Sequence, residues 1–411
     1  MKNSIYFDIS KNELEAKKGL FDRVTKEREY IGYYDLPFQD TQNLKKLEKS
    51  LDTSIDTIVV IGIGGSSLGT KAIYEFLKPA NHLKRKLIFL ESTDPLNLTN
   101  HIKEIELEKS HFLIISKSGT TIETIAIFKY LYSLSNDAKK YTFITDPDSP
   151  LEDFAKSIDA SYCNIPKNVG GRFSALSSVG LLPLLCAGID VDALLKGAKE
   201  IADGFFQKQL IKDHLIDKAL FYAKNYTTYH INCIFAYSEA LKYFCEWYVQ
   251  LWGESLGKKQ KSSAINVGLT PVGLIGPKDQ HSFLQLLIEG TRDKSATFIK
   301  IDDFKDDLVI PDISLKHLEK LDDINGLKFH KLINMQCEST LEALQQHGDI
   351  PLDAITIQSI DEESIGKLIY YYELLTSLVG ILIDVDTYDQ PGVEKGKTIL
   401  QNKIKRCNHD Y

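Results

Sequence analysis

Short apolar runs, each followed by a stretch of helical periodicity, constrain this chain more than any other feature. The first, Thr57-Ile58-Val59-Val60-Ile61, has no charged break and runs straight into glycines. A strand with apolar side chains on both faces needs cover on both sides, which a parallel sheet sandwiched between helices supplies. Similar runs at 87–90, 112–115 and 141–144 alternate with helical stretches at 68–77 and about 121–134, and Asp94-Pro95 reads as a helix start. Repeated strand–helix–strand units of this kind predict a doubly wound α/β fold.

The pattern then breaks for a largely helical region, expected from about 174 to 225. It resumes with strands at 232–237, 264–267, 297–301 and 354–357, alternating with helices at 239–252, 281–289, 334–347 and 362–380. At 411 residues the chain exceeds one ordinary core. No low-complexity linker separates the two α/β units, so they should pack closely. The expected division is an N-terminal helical segment at 1–45, a first α/β domain at 46–190, a second at 191–385 and a C-terminal segment at 386–411.

Charge and cysteine usage exclude several function classes. The formal net charge is −8 and the basic residues are scattered, which argues against nucleic acid or an anionic membrane as a partner. Six cysteines occur without a Cys-x-x-Cys pair, so neither a zinc site nor a disulfide framework is expected. The first residues turn charged without an apolar core, and the apolar stretch at 179–191 is shorter than the roughly 20 residues that span a bilayer. A cytoplasmic location is the expectation.

Ligands of open α/β sheets bind beyond the carboxyl ends of the strands. There the chain carries Gly62-Ile63-Gly64-Gly65-Ser66-Ser67, whose spacing fits neither a dinucleotide fingerprint nor a Walker loop. Ser116-Lys117-Ser118-Gly119-Thr120-Thr121 follows the 112–115 run and opens a helix. Hydroxyls, an ammonium and unpaired helix N–H groups in one turn suit a phosphomonoester. Arg172, in Gly170-Gly171-Arg172-Phe173-Ser174, can present a planar fork to a developing oxyanion. Glu254, just beyond the expected helix, is a candidate general base; His281 can move protons near neutral pH. Gln390 and Lys397 lie in Gln390-Pro391-Gly392-Val393-Glu394-Lys395-Gly396-Lys397. Taken singly, most of these residues have ordinary explanations as caps or solvated surface charges.

As an ordered set the segments resemble the phosphoglucose isomerase family, bacterial type, over about residues 61 to 397. The resemblance implies two sugar-isomerase (SIS-like) domains with mainly parallel sheets in three-layer αβα arrangement. It implies an aldose–ketose isomerase that interconverts glucose 6-phosphate and fructose 6-phosphate through a cis-enediol, with no cofactor and no metal. By the same resemblance Ser116, Lys117, Ser118 and Thr121 hold the phosphate, while Gly65, Ser66 and Gln390 line the sugar. Glu254 is the base, His281 and Lys397 open the ring, and Arg172 stabilises the developing charge. The family implies a homodimer with active sites at the subunit interface, His281 coming from the other subunit. Phe173 stands where many members have Tyr, and the chain is shorter than familiar members. The rival readings are an isomerase of another sugar phosphate and a noncatalytic sugar-phosphate sensor.

Overall fold

The computed structural model describes residues 1–9, 14–207 and 209–407. It begins with a strand, β1 (Lys2–Ile5), within the segment expected to be helical. The first sheet follows: β2 (Thr57–Ile61), β3 (Lys86–Leu90), β4 (Ser110–Ile115), β5 (Tyr141–Thr145) and β6 (Ser161–Asn164). Its order is β3-β2-β4-β5-β6 and every pair is parallel. After a helical stretch come β7 (Ile231–Ala236), a small antiparallel ribbon of β8 (Lys258–Lys259) and β9 (Asn266–Val267), then β10 (Thr270–Ile275), β11 (Lys294–Asp303) and β12 (Leu352–Ser359). The second sheet runs β1-β12-β11-β7-β10, parallel throughout except for β1, which is antiparallel to β12.

Alternation along the strands explains the layers. Ile58 and Val60 of β2, and Ile234 and Ala236 of β7, face one continuous apolar core shared by both sheets. Val59 and Ile61 face a separate outer core, and Cys233 and Phe235 face another. The shared core is filled by helices Ser178–Ala187, Val191–Phe206, Lys242–Leu256 and Glu362–Leu382. The Glu362–Leu382 helix is apolar enough by length and composition to cross a membrane, yet 89% of its apolar window is buried in the protein. Two of these helices approach almost to backbone contact: a Cβ added at Gly366 would lie 2.1 Å from the Leu194 carbonyl oxygen.

Three sequence expectations are corrected. The strand expected at 264–267 is only half of the β8–β9 ribbon, and the sheet strand is β10, which holds Pro271 and Gly273. Proline is tolerated there because β10 is an edge strand. The helix expected to end at 252 continues to Leu256 and so contains Glu254. Residues 171–173 form a single 3-10 turn, and the next α-helix starts at Ser178.

Candidate active site

Four segments converge beyond the carboxyl end of β2. The 62–66 loop leaves β2 with Gly64 at φ 59°, a backbone state glycine adopts without cost. Gly65 packs so tightly on the next segment that an added Cβ would lie 2.4 Å from the Gly171 carbonyl carbon. Ser174 Oγ donates to the Gly65 carbonyl at 3.1 Å and locks the two turns together. Among the described residues the Ser66 side chain makes no hydrogen bond at this junction; its backbone N–H donates to the Ile63 carbonyl at 3.2 Å.

Arg172 extends from that junction and is only 5% exposed. Its Nε donates to Ser255 Oγ (3.0 Å), one terminal nitrogen to Gln390 Oε1 (3.0 Å), and the other to the carbonyls of Thr387 (3.0 Å) and Asp389 (3.1 Å). The nitrogen that meets Gln390 also lies 3.2 Å from Glu254 Oε1. Burial pushes the Arg172 pKa down from its usual value, and the Glu254 carboxylate pushes it back up. With every N–H direction engaged, the guanidinium is a fixed positive group that needs little reorganisation when negative charge develops nearby.

Glu254 sits in the last turn of the Lys242–Leu256 helix, one turn beyond Gln250, whose Nε2 donates to Glu254 Oε2 at 3.2 Å. Gln250 was missed in the sequence because that helix was expected to stop before Glu254; the longer register puts both on one face. It also abuts the glycine loop, since a Cβ at Gly64 would lie 2.9 Å from Gln250 Nε2. Gln250 Oε1 is buried and has no hydrogen-bond partner among the described residues. Glu254 and Gln390 line a cavity of about 760 Å³ with Lys258, Lys259, Lys261 and Asn266. Its size suits a small polar ligand.

The 116–121 loop lies beside this junction, not within that cavity. A Cβ at Gly62 would come within 3.2 Å of the Ile115 carbonyl oxygen. Lys117 Nζ donates to the carbonyls of Val169 (2.6 Å) and Lys167 (3.1 Å), just ahead of Gly170. Ser116 is buried and its Oγ meets Thr121 Oγ1 at 2.9 Å. Thr120 donates to Ser118 Oγ from both its N–H and its hydroxyl. Gly119 takes φ 69° where the loop doubles back, and an added Cβ would crowd Leu151 and Ser149 at 3.0–3.1 Å. Thr121 precedes the Ile122–Leu134 helix without capping it, which leaves the first-turn N–H groups free of a side-chain cap.

Two expected residues stand apart. His281 is exposed at the end of a 3-10 turn (Lys278–His281), ahead of the short helix Leu284–Glu289, and does not line the cavity. Lys397 is exposed on the Glu394–Cys407 helix and pairs with Glu394 at 2.7 Å. Gln401, one turn further along, lines a cleft with Gly119 and Thr120. Among the described residues, no three His, Cys, Asp or Glu side chains cluster to hold a metal ion.

Sheet order, strand-end loops and shared core define a doubly wound α/β protein of the two-sheet sugar-isomerase type. A structure from Thermus thermophilus described as a hypothetical protein has this fold, with TM-score 0.85 and 32% identity over 95% of this chain and 94% of its own. A glucose-6-phosphate isomerase structure from Chlamydia trachomatis shares the fold at TM-score 0.83 and 23% identity, covering 99% and 88%. The family model described as Phosphoglucose isomerase matches residues 47–410, and this chain belongs to that family. A glucose-6-phosphate isomerase of Campylobacter jejuni is 42% identical over 98% of this chain and 99% of its own length.

Proposed function

We propose that this chain interconverts glucose 6-phosphate and fructose 6-phosphate as an aldose–ketose isomerase. The observation that carries the reading is the Glu254 carboxylate held 3.2 Å from a buried, fully engaged Arg172 at the edge of a cavity. Membership of the phosphoglucose isomerase family and relatives named glucose-6-phosphate isomerase support it.

In this reading the 116–121 loop takes the phosphate through the Ser116, Ser118 and Thr121 hydroxyls, backbone N–H groups and the Lys117 charge. Gly65, Ser66 and Gln390 border the sugar. His281, with Lys397 assisting, passes a proton to the ring oxygen while the anomeric hydroxyl loses one, which opens the pyranose. Glu254 then takes the C2 proton as the C1 carbonyl oxygen gains one, giving the cis-enediol, and returns it to C1 as the C2 hydroxyl gives up its proton, completing the ketose. Arg172 stabilises negative charge as it develops on the oxygens. The step exchanges protons only and calls for no metal or redox cofactor.

The proposal includes a homodimer, because His281 lies outside its own chain's cavity. The 304–328 arm supports this, exposing Leu308, Val309, Ile313, Leu315, Leu318 and Leu321. Apolar exposure on that scale marks an interaction surface. A cytoplasmic location, and domains at 46–190 and 191–385 flanked by segments 1–45 and 386–411, belong to the same proposal.

The test is a coupled assay of fructose 6-phosphate conversion, with Glu254→Gln beside the unaltered protein. Turnover that falls by orders of magnitude in the variant, with substrate affinity retained, supports the reaction and its base. A folded dimer without turnover points to another sugar phosphate or to a binding protein.

A further inference from the structure

We propose that Glu27, at the end of the first helix (Leu14–Glu27), is a positioning residue for Arg172 and Gln390, acting through Tyr388. The inference rests on the proposed role of Arg172.

Glu27 is distant in sequence from every site motif, yet its Oε2 accepts from the Tyr388 hydroxyl (3.0 Å) and the Tyr34 hydroxyl (2.8 Å). The Tyr388 hydroxyl also lies 2.9 Å from Ser377 Oγ, which meets Tyr33 at 2.7 Å. The Tyr388 ring leans on Phe173, the residue after Arg172, with centroids 5.1 Å apart. Tyr388 thus has its ring on the Arg172 turn and its hydroxyl tied to the first helix.

The backbone around Tyr388 is what Arg172 reads. The two carbonyls that accept from one guanidinium nitrogen belong to Thr387 and Asp389, the residues on either side of it. Gln390, which accepts from the other nitrogen, is two residues further on. Displacing Tyr388 would therefore move three of the acceptors that aim the guanidinium. Thr387 is buried and anchors one end of the segment, but Asp389 and Gln390 are exposed, so their side chains do not hold the other end in place. Lys258 provides a second tether, bonding the Asp386 carbonyl (2.9 Å) and the Asp389 carboxylate (2.7 Å). Glu27 and Lys258 grip the strap with opposite charges, and of these two only Glu27 acts through Tyr388, whose ring packs on Phe173.

The function of such a network is geometric. A charge-stabilising group misplaced by a fraction of an ångström loses transition-state stabilisation while ground-state binding changes little. Tyr388→Phe keeps the ring contact and removes only the hydroxyl. Glu27→Ala removes the acceptor, whereas Glu27→Gln keeps one. In the coupled isomerase assay, Tyr388→Phe and Glu27→Ala should each lower kcat roughly five- to fiftyfold with KM within about twofold. Glu27→Gln should recover most of that loss, and the Glu27→Ala/Tyr388→Phe double variant should be no worse than either single one.

Arg172→Ala is assayed alongside. If it keeps full kcat, the reading of the site fails and takes this inference with it. If Arg172→Ala is inactive while Tyr388→Phe keeps full kcat, the site stands and the positioning role of Glu27 is overturned. Losses that are additive, or that follow melting temperature with kcat unchanged below it, also overturn it by assigning the network to stability alone. Should Glu27→Ala fail to fold, Tyr388→Phe and Glu27→Gln decide the question.

Discussion

Lys117, expected at the 116–121 loop as a phosphate-binding residue, turns its ammonium onto a neighbouring segment. Its donation to the Val169 (2.6 Å) and Lys167 (3.1 Å) carbonyls ties the 167–169 segment to the loop. Lys117→Ala is expected to weaken binding of a phosphorylated ligand by about 1–2 kcal/mol and to leave an unphosphorylated sugar unaffected, read by calorimetry. Equal weakening of both would make Lys117 a structural tether. Glu254 presents the opposite case: its residue type suggested a base, but only the helix register showed Gln250 one turn behind it and Arg172 in front.

Elements contribute through packing that their own composition only partly announces. Strand β4 carries His111 into the core, where its Nε2 lies 2.8 Å from Thr142 Oγ1 on β5. Burial, and then the nearby Arg85 charge, lower its pKa from the ordinary 6.5 to about 4. The unfolded chain therefore binds the proton more readily than the fold does. This group's contribution is complete above about pH 6.5, falls as the pH drops towards 4, and amounts to about 3 kcal/mol. His111→Gln should flatten that part of the stability profile, measured as urea midpoints against pH; an unchanged slope would place the acid sensitivity elsewhere. Between the central helices, Gly366 meets the backbone at Leu194. Gly366→Ala should lower stability by about 2–3 kcal/mol in urea unfolding, with kcat intact below the new melting point.

For the whole molecule, the separation of His281 from Glu254 yields a sharp test of the proposed dimer. Glu254→Gln chains mixed in equal amount with His281→Ala chains, after reversible dissociation, form heterodimers with one site carrying both native residues. Two inactive proteins should then recover about a quarter of native activity, since half the dimers are mixed and each has one working site. No recovery from a mixture shown to exchange subunits would mean that His281 acts within its own chain or not at all.

The chain's own residues determined the class of fold and the chemistry available to it. Uninterrupted apolar runs such as 57–61 demand burial on both faces, and local hydroxyl- and glycine-rich turns such as 116–121 are legible because their physics lies within a few residues. Only the tertiary structure decided what depends on distant partners. Strand β1 is four residues that become a strand because Asn3 and its neighbours pair with β12, some 350 positions away. Strand β10 reads as broken by Pro271 and Gly273, but an edge tolerates the proline and Gly273 admits Cys245 from the Lys242–Leu256 helix. The contact of Gly65 with Gly171, and the path from Glu27 through Tyr388 to Arg172, were equally invisible. Periodicity reports which faces must be buried; it carries no information about which distant backbone will arrive to bury them, because that choice is made by packing across the whole chain.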